Sequence, residues 1–447
     1  MSIVQENSRY PIFTLRKHTH AITATEFVKI PISTTSRLIT PSTSTSNSSN
    51  SLQTTCKPYV ITADEKGNIK LWDLKTHRVV KEIDQAHEGS ILSIRQLGIT
   101  TNTEGTYNIN STLFGFVLTH SRDHTIKFWK LFDDQGLILL KEVYEMPVNA
   151  LNFSNVDVMD NFLVSANTSD SNKFDIYDLK FLYVESAKHL TREFEAVDLF
   201  KQCQQNKYKF TEFNIRGKEE DDPENVNRVD KFGIIMKFLW ITKEILAVGY
   251  ESGHTLIVKV DIKAKKMTIQ QISAHHFPNP ILSISYNKDN NTLLTSSIRS
   301  KIIQHDLSNL QSEPQILKIN LTKISNIVTY TDKLILSSWT GYIKFFQNSR
   351  QGSETPSYQE IAQFKKPKGL LVGNLNIIGN NQSNDIESQK QYTVKPNSLA
   401  VFIGDDLKKG IDPQYQRRLD RRDLMVLQKN FLSVGFDDGT VMVYDDI

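Results

Sequence analysis

Four residues in the first third of the chain have the types and order of a hydrogen-bonded side-chain network: His87, Thr119, Asp123 and Trp129. In such a network the Trp129 indole N–H donates to Thr119, Thr119 contacts His87, and His87 contacts Asp123. A hydroxyl, an imidazole and a carboxylate could also suggest nucleophilic catalysis. We favour a structural role, because the set recurs along the chain and because a fully paired buried polar network locks one packing arrangement.

Other copies of this set are incomplete. The last copy keeps Asp438 but has Tyr444 where the tryptophan is expected, and the first copy has Lys66 at the position of Asp123. Losses of single members are expected of redundant structural contacts and not of an active site. The first copy keeps the other three members, His18, Thr62 and Trp72.

Few other residues have the pattern of a catalytic or metal site. His275 and His276 are adjacent, so on a strand their side chains would point to opposite faces, and we expect one of them to be the counterpart of His87. Cys56 and Cys203 lie far apart without CxxC spacing, which supports neither a disulfide framework nor a zinc site. Phosphate-loop, zinc-protease and esterase motifs are absent. The sequence therefore predicts no catalytic residue, no cofactor and no metal.

The elements that would position the network are repeated hairpins. The segments Tyr59–Leu74 (YVITADEKGNIKLWDL) and Phe116–Leu131 (FVLTHSRDHTIKFWKL) align with Trp72 on Trp129. Each contains two β-rich runs joined by a polar turn, which predicts an antiparallel hairpin. A further β-rich run precedes each hairpin, and the spacing from His87 to Trp129 fits the roughly 40–45-residue period of a WD40 blade.

Seven such copies predict an all-β chain folded as a single seven-bladed WD40 β-propeller with polar loop insertions. The last copy ends at Ile447 without room for a fourth strand, whereas a β-rich run at Pro11–His18 precedes the first copy. We expect this N-terminal strand to complete the last blade, because closure of the ring removes exposed sheet edges. The predicted boundaries are 18–80, 87–140, 146–183, 232–265, 275–312, 320–350 and 396–447 for the blades, 11–18 for the closing strand, and 184–229 and 351–395 for two long inserts.

Further polar segments are expected inside individual blades. Ser33–Thr55 lies within blade one and Thr100–Ser111 lies within blade two, and the third copy is expected to begin with a strand at Val148–Phe153. Polar, low-complexity composition of this kind is typical of surface loops.

The segment Asp405–Leu424 interrupts blade seven and is rich in arginine. Its charges are spaced four residues apart, so that the arginines would share faces of a helix. One interpretation is an exposed helix with internal salt bridges. The other is a partner-docking insertion, because arginine is favoured at protein interfaces. The candidate docking residues are Arg417, Arg418, Arg421 and Arg422.

Composition and charge exclude several broad classes of function. The formal net charge is +3, from 53 basic and 50 acidic residues, which is too balanced to predict direct nucleic-acid binding. The longest apolar run, Phe232–Ile241, is interrupted by Lys237 and is shorter than the roughly 20 residues of a membrane span. The first residues lack the apolar core of a secretory signal. We expect a soluble chain, monomeric by itself, that works in a reducing compartment.

The repeat motifs LWDL, DHTIKFW and DDGTVMVYD resemble those of the WD40-repeat family. More narrowly, the chain resembles the fungal ASTRA-associated protein 1 family. This resemblance rests on the opening TLRKHTHAITATEF, the block ITADEKGNIKLWDLKTHRVV followed by HEGSILSI, and the ending FLSVGFDDGTVMVYD. It implies a non-catalytic scaffold in the nucleus, bound to other protein subunits of the ASTRA complex. It also implies a link to chromatin remodelling and to maturation of phosphatidylinositol-3-kinase-related kinases, with no catalytic residue to carry over.

Two other functions remain open. A substrate receptor of a ubiquitin ligase often has Trp-Asp-x-Arg at a blade end, but here Lys75 follows Trp72-Asp73-Leu74 and Lys130 follows Trp129. An enzyme built on a propeller would need convergent carboxylates or a metal in the central channel, and the repeat pattern predicts neither.

Overall fold

The strands form seven blades. The computed structural model describes residues 10–31, 56–101, 107–109, 113–134, 136–149, 154–184, 186–187, 189–205, 232–330, 332–349, 357–367, 369–370, 391–404 and 421–445 of the chain. These residues contain seven antiparallel four-stranded sheets and two small two-stranded sheets. In order from innermost to outermost strand, blade one comprises Ile22–Pro31, Cys56–Asp64, Ile69–Asp73 and Arg78–Ile83; blade two comprises Ile91–Gln96, Phe116–Ser121, Thr125–Asp134 and Leu137–Pro147; and blade three comprises Asp157–Met159, Phe162–Ala166, Phe174–Asp178 and Thr191–Val197. Blade four comprises Ile235–Thr242, Ile245–Tyr250, Thr255–Asp261 and Lys266–Ser273; and blade five comprises Ser283–Asn287, Thr292–Ser296, Lys301–Asp306 and Gln315–Lys318. Blade six comprises Ile324–Tyr330, Lys333–Ser338, Tyr342–Ser349 and Ser357–Lys365; and blade seven comprises Pro396–Phe402, Phe431–Phe436, Thr440–Asp445 and Phe13–Arg16.

The described residues outside the blades form short elements. A 3₁₀ turn spans Leu179–Leu182, helix α1 spans Leu199–Gln205, and helix α2 spans Arg421–Gln428. Neither helix has the length and apolar character needed to cross a membrane. The two small hairpins pair Ile99–Thr101 with Tyr107–Ile109 and Gly369–Leu370 with Gln391–Tyr392.

The ring closes through its first strand. Phe13–Arg16 pairs antiparallel with the third strand of blade seven, in a register that places Leu15 opposite Val441. Leu15 is 2% exposed and belongs to an apolar cluster with Val441 and Val443 of blade seven and Trp72 of blade one. The innermost strands of blades seven and one also contact each other. The predicted seven-bladed propeller closed by an N-terminal strand is therefore confirmed.

The apolar core lies between neighbouring blades. The second strand of a blade is buried on both faces, as in Phe431–Phe436, where every residue is buried, and such strands are nearly continuous apolar runs. Glycine permits the closest approach between two blades. A Cβ added to Gly249 would lie 2.7 Å from Ile281 Cγ2, and one added to Gly435 would lie 2.3 Å from Ile22 Cγ2. Any larger residue at either position would push the next blade away.

Several predicted boundaries are wrong at the outer rim. The outermost strand of blade three, Thr191–Val197, and helix α1 lie inside the predicted insert 184–229. The outermost strand of blade six, Ser357–Lys365, lies inside the predicted insert 351–395. The outermost strands of blades one and two likewise end at Ile83 and Pro147, beyond the predicted limits 80 and 140. Those of blades four and five, Lys266–Ser273 and Gln315–Lys318, lie wholly beyond the predicted limits 265 and 312. An outermost strand has one free edge and an exposed face, so its polar composition resembles that of a loop.

The start of blade three is also corrected. The innermost described strand of blade three is Asp157–Met159, which follows the strand expected at Val148–Phe153; of that expected strand the structure describes Val148 and Asn149, which lie outside any strand. Val148 is buried, and its backbone N–H donates to the carbonyl of His124 at 2.8 Å. Residues 150–153 lie outside the described residues, as do Ser33–Thr55 and most of Thr100–Ser111.

Candidate functional site

The structure brings the four residues of the blade-two network together. The Trp129 indole N–H donates to Thr119 Oγ1 at 2.8 Å, and Thr119 Oγ1 lies 2.7 Å from His87 Nε2. His87 Nδ1 lies 2.8 Å from Asp123 Oδ2. Burial alone would raise the pKa of Asp123, but hydrogen bonds from His87 and Thr125 outweigh it and hold that pKa well below its usual value. Thr119 is fully buried, and its hydroxyl contacts both Trp129 and His87 inside the blade.

Blade one contains a complete network where the sequence predicted a broken one. His18 Nδ1 lies 2.7 Å from Asp64 Oδ2, and Trp72 Nε1 donates to Thr62 Oγ1 at 2.8 Å. The carboxylate therefore comes from two residues before Lys66, the residue that aligns with Asp123. The backbone N–H of Lys66 donates to Asp64 Oδ1 at 2.9 Å. The alignment of the two repeats missed Asp64 because it compares residues position by position. The carboxylate that contacts the histidine can come from a residue at either end of the turn, as Asp64 and Asp123 show.

Blade five keeps the histidine–threonine contact, whereas blades three and seven have other polar contacts. In blade five His276 Nε2 lies 3.0 Å from Thr295 Oγ1, so His276 and not His275 is the counterpart of His87. In blade three Asp175 accepts a hydrogen bond from the Tyr177 hydroxyl at 3.0 Å. In blade seven Asp438 forms an ion pair with Lys366 in place of a histidine. No group of three potential metal ligands occurs among the residues that the structure describes.

Side-chain amides on or beside the innermost strands join neighbouring blades, and no local sequence pattern predicted these contacts. Asn155 Oδ1 accepts from the backbone N–H of Phe238 at 2.8 Å while its Nδ2 donates to the Phe238 carbonyl at 3.0 Å, linking blades three and four. Gln96 makes the same two contacts with Lys29, at 2.6 and 2.7 Å, linking blades two and one. Asn397 of blade seven donates to the Ile22 carbonyl of blade one at 2.9 Å. These contacts fix adjacent blades around the channel.

Two carboxylates lie on the innermost strands, where the repeat pattern predicted none. Arg95 of blade two lies between them, with Nη1 3.5 Å from Glu26 Oε2 and Nη2 3.9 Å from Asp157 Oδ1. Burial raises the pKa of Glu26 and of Asp157 despite the neighbouring guanidinium. Asp157 also accepts from the backbone N–H of Trp240 at 2.7 Å. The carboxylates converge on an arginine and on backbone, which is the arrangement of a link between blades.

The arginine-rich segment is only partly described. Arg421 and Arg422 are exposed in the first turn of helix α2, whereas Arg417 and Arg418 lie outside the described residues. Leu427, 2% exposed, anchors the helix, and Met425 on the same helix is 47% exposed. Both possible roles of the segment, an exposed helix and a docking insertion, stay predictions.

A basic and aromatic depression lies on the face that carries the turns between second and third strands. It has a volume of about 460 Å³ and is lined by Lys323, Trp339, Thr340, Lys395 and Asn397. Trp339, in the blade-six turn, is 43% exposed. Its backbone N–H donates to the Lys323 carbonyl at 3.2 Å, which joins this turn to the link between blades five and six. Tryptophan is one of the residue types that are enriched at protein interfaces.

The sequence model of ASTRA-associated protein 1 matches residues 11–444. The ASTRA-associated protein 1 of Lodderomyces elongisporus is 28% identical over 418 residues, which cover 86% of this chain and 92% of that protein. The protein of the same name from Komagataella phaffii is 28% identical over 412 residues, which cover 86% and 88%.

Two solved structures share the fold. Raptor of Chaetomium thermophilum aligns with a TM-score of 0.54 at 11% identity, covering 98% of this chain and 29% of that chain. Sqt1 of Saccharomyces cerevisiae aligns with a TM-score of 0.52 at 12% identity, covering 98% and 99%. At such low identity these similarities support the propeller fold alone. The match over residues 11–444 goes further: this chain belongs to the ASTRA-associated protein 1 family.

Proposed function

We propose that this protein is a non-catalytic protein-interaction scaffold in the nucleus and a subunit of the ASTRA complex. The observation that carries the proposal is the family match over residues 11–444, on a chain whose described residues form a closed ring of seven blades. A rigid ring presents loops from every blade on two faces and can hold several partners at once. The name of the relatives, ASTRA-associated protein 1, supports association with a multi-protein complex.

The polar side chains support a scaffold over an enzyme. The histidine, threonine and aspartate sets of blades one and two are buried and satisfied internally. The innermost carboxylates Glu26 and Asp157 face Arg95. Catalysis needs groups that converge on space where a reacting atom can sit, and these groups converge on one another. We further propose the link to chromatin remodelling and to maturation of phosphatidylinositol-3-kinase-related kinases that the family resemblance implies.

Affinity purification tests the proposal. The full chain, tagged and expressed at its natural level in the cells that make it, is recovered from nuclear and cytosolic fractions, and bound proteins are quantified by mass spectrometry. We expect the other ASTRA subunits, enriched from the nuclear fraction and in constant ratio to the chain. Recovery of the chain alone would contradict the scaffold function. Recovery with a cullin adaptor as its main partner would favour the ubiquitin-ligase receptor instead.

A matched pair of variants shows whether the closed ring is needed. Leu15→Asp places a charge in the buried closing strand, whereas Ile12→Asp alters a neighbouring residue that is 45% exposed. We expect Leu15→Asp to lose the bound subunits and Ile12→Asp to keep them. Equal recovery of partners by both variants would show that the partners bind a segment outside the ring.

A further inference from the structure

We propose that the depression around Trp339 is the docking site for an acidic peptide segment of a partner protein, anchored by one large apolar side chain. The inference deepens the proposed scaffold function and rests on it for the source of the peptide. The Trp339 surface comprises the five lining residues, Lys323, Trp339, Thr340, Lys395 and Asn397, together with Ile298, which is hydrogen-bonded to Lys323 through the backbone.

The apolar part of the surface is available for a partner. Trp339 is 43% exposed and Ile298 is 37% exposed. The Lys323 backbone N–H donates to the Ile298 carbonyl at 2.9 Å, and the Lys323 carbonyl accepts from the Trp339 N–H at 3.2 Å. Lys323 therefore connects the segments that carry the two apolar side chains. The Trp339 side chain makes no hydrogen bond or ring contact with any other residue that the structure describes. A large exposed indole of this kind is typical of a binding hot spot.

The turn that holds Trp339 is rigid without help from the indole. The Thr340 backbone N–H and hydroxyl both lie within hydrogen-bonding distance of Ser338 Oγ, at 3.0 and 2.8 Å. The Gly341 N–H donates to the Ser338 carbonyl at 2.9 Å. The indole is thus held at the surface by backbone contacts, which lowers the entropy cost of binding a partner.

Charge selects an acidic partner. The four segments that surround the depression, residues 298–301, 318–324, 338–341 and 393–397, contain no acidic residue. Two carboxylates lie on the blade-seven turn beside Lys395: Asp437 Oδ1 accepts from the Lys395 backbone N–H at 2.9 Å, and Asp438 forms an ion pair with Lys366. The basic residues of the four segments are Arg299, Lys301, Lys318, Lys323 and Lys395, of which Lys301 donates to the His275 carbonyl.

Size favours a peptide segment over a folded domain or a nucleic acid. A volume of about 460 Å³ is near the lower end of ligand sites, roughly 300–1,000 Å³, and suits one large side chain with its flanking backbone. The chain has a formal net charge of only +3, so it lacks the broad basic surface that nucleic acid requires.

Fluorescence anisotropy on the full chain tests the proposal with three probes. The first is a short labelled peptide of alternating Glu and Asp with Leu-Phe at its centre; the second replaces every acidic residue with Lys; the third is a short poly-uridine RNA. We expect only the acidic peptide to bind, with an affinity that falls as salt is raised. Equal binding of the lysine peptide, preferred binding of the RNA, or no binding of the acidic peptide would overturn the proposal.

Variants with matched controls locate the site. Trp339→Ala and the double change Lys323→Glu with Lys395→Glu should each weaken the acidic peptide by about tenfold or more. The controls are Tyr10→Ala, which removes another exposed aromatic ring, 77% exposed, and Lys259→Glu, which reverses a lysine 55% exposed on blade four. Both controls should bind as the parent chain does. An equal loss in a control would refute this location.

Two outcomes separate this inference from the proposed function. A chain lacking residues 371–390 should bind the acidic peptide with unchanged affinity; tighter binding would assign the depression to that segment and overturn a partner-derived ligand. In cells, Trp339→Ala should lose one bound subunit and keep the others. Retention of every subunit and of peptide affinity refutes the docking site alone, whereas an unmodified chain recovered without subunits refutes the scaffold function.

Discussion

The carboxylate of Asp64 should stabilise the ring in a manner that depends on pH. Its side chain is 1% exposed and accepts hydrogen bonds from His18 Nδ1 at 2.7 Å, Asn68 Nδ2 at 3.0 Å and the Lys66 N–H at 2.9 Å. Burial raises the pKa of Asp64, but these bonds prevail and lower it from 3.8 to about 2. A depressed pKa means that the folded state prefers the charged carboxylate.

The magnitude follows from the size of this shift. Because one pKa unit corresponds to about 1.4 kcal/mol, the carboxylate contributes about 2 kcal/mol to the free energy of unfolding at pH 7. This contribution is complete above the unfolded pKa of 3.8 and is lost as the pH falls through the folded value, so roughly half should be gone at pH 3. Asp64→Asn keeps the size of the side chain and removes the charge, and it should therefore be less stable than the parent by about 2 kcal/mol at pH 7.

Urea unfolding followed by tryptophan fluorescence measures this difference at pH 7, 5, 4 and 3. The control is Lys66→Ala, which removes the exposed side chain that the sequence alignment placed at the carboxylate position; its effect should stay within about 0.5 kcal/mol. A difference between Asp64→Asn and the parent that is the same at pH 7 and pH 3 would refute the proposed charge dependence. A Lys66→Ala variant as unstable as Asp64→Asn would refute the assignment of the carboxylate.

Two other contacts give testable expectations. Asn155→Ala leaves the Phe238 N–H and carbonyl without their partners at the junction of blades three and four, so urea unfolding should show a loss of about 1–3 kcal/mol. Asn155→Asp should be no more stable than Asn155→Ala, because its second carboxylate oxygen would face the Phe238 carbonyl oxygen and both are acceptors. An unchanged stability in Asn155→Ala would contradict the junction role. Leu15→Asp should release the closing strand and speed hydrogen exchange at its pairing partner Val441, whereas Ile12→Asp should not; equal exchange in both would mean that Leu15 does not hold the strand.

The fold was predictable from the sequence because each blade buries its strands with the same pattern of apolar residues and turns. The apolar second strand and the hairpin turn recur with a fixed period, as Tyr59–Leu74 and Phe116–Leu131 show, and the run at Pro11–His18 had no other partner in that scheme. The outermost strands were missed because one side of each is solvent. A strand such as Thr191–Val197, with exposed charged residues, has no alternating apolar pattern to detect.

The residues of the candidate site were less predictable, for a reason visible at Asp64. A network member is defined by where its oxygen lies, and a turn can place an oxygen from position 64 as well as from the position aligned with Asp123. The inter-blade amides Gln96 and Asn155 depend on tertiary register between strands far apart in sequence, which no local pattern encodes. The sequence does not show whether Trp339 is buried or exposed, because aromatic residues are frequent throughout the strands. In the structure its ring is exposed beside Lys323 and Lys395.

Stability and recognition should be separable, because they rest on different residues of the ring. Thr62 is fully buried and bonds both His18 and Trp72 at 2.8 Å, so Thr62→Val leaves two buried polar groups unpaired and should cost about 2 kcal/mol or more. Trp339→Ala removes no internal hydrogen bond and should change stability by less than about 0.5 kcal/mol.

In thermal unfolding Thr62→Val should therefore melt earlier while Trp339→Ala melts with the parent. In peptide anisotropy below both melting temperatures the order reverses: Trp339→Ala should lose affinity and Thr62→Val should keep it. A Trp339→Ala chain that melts as early as Thr62→Val would mean that the indole packs into the ring and is not a free anchor for a partner.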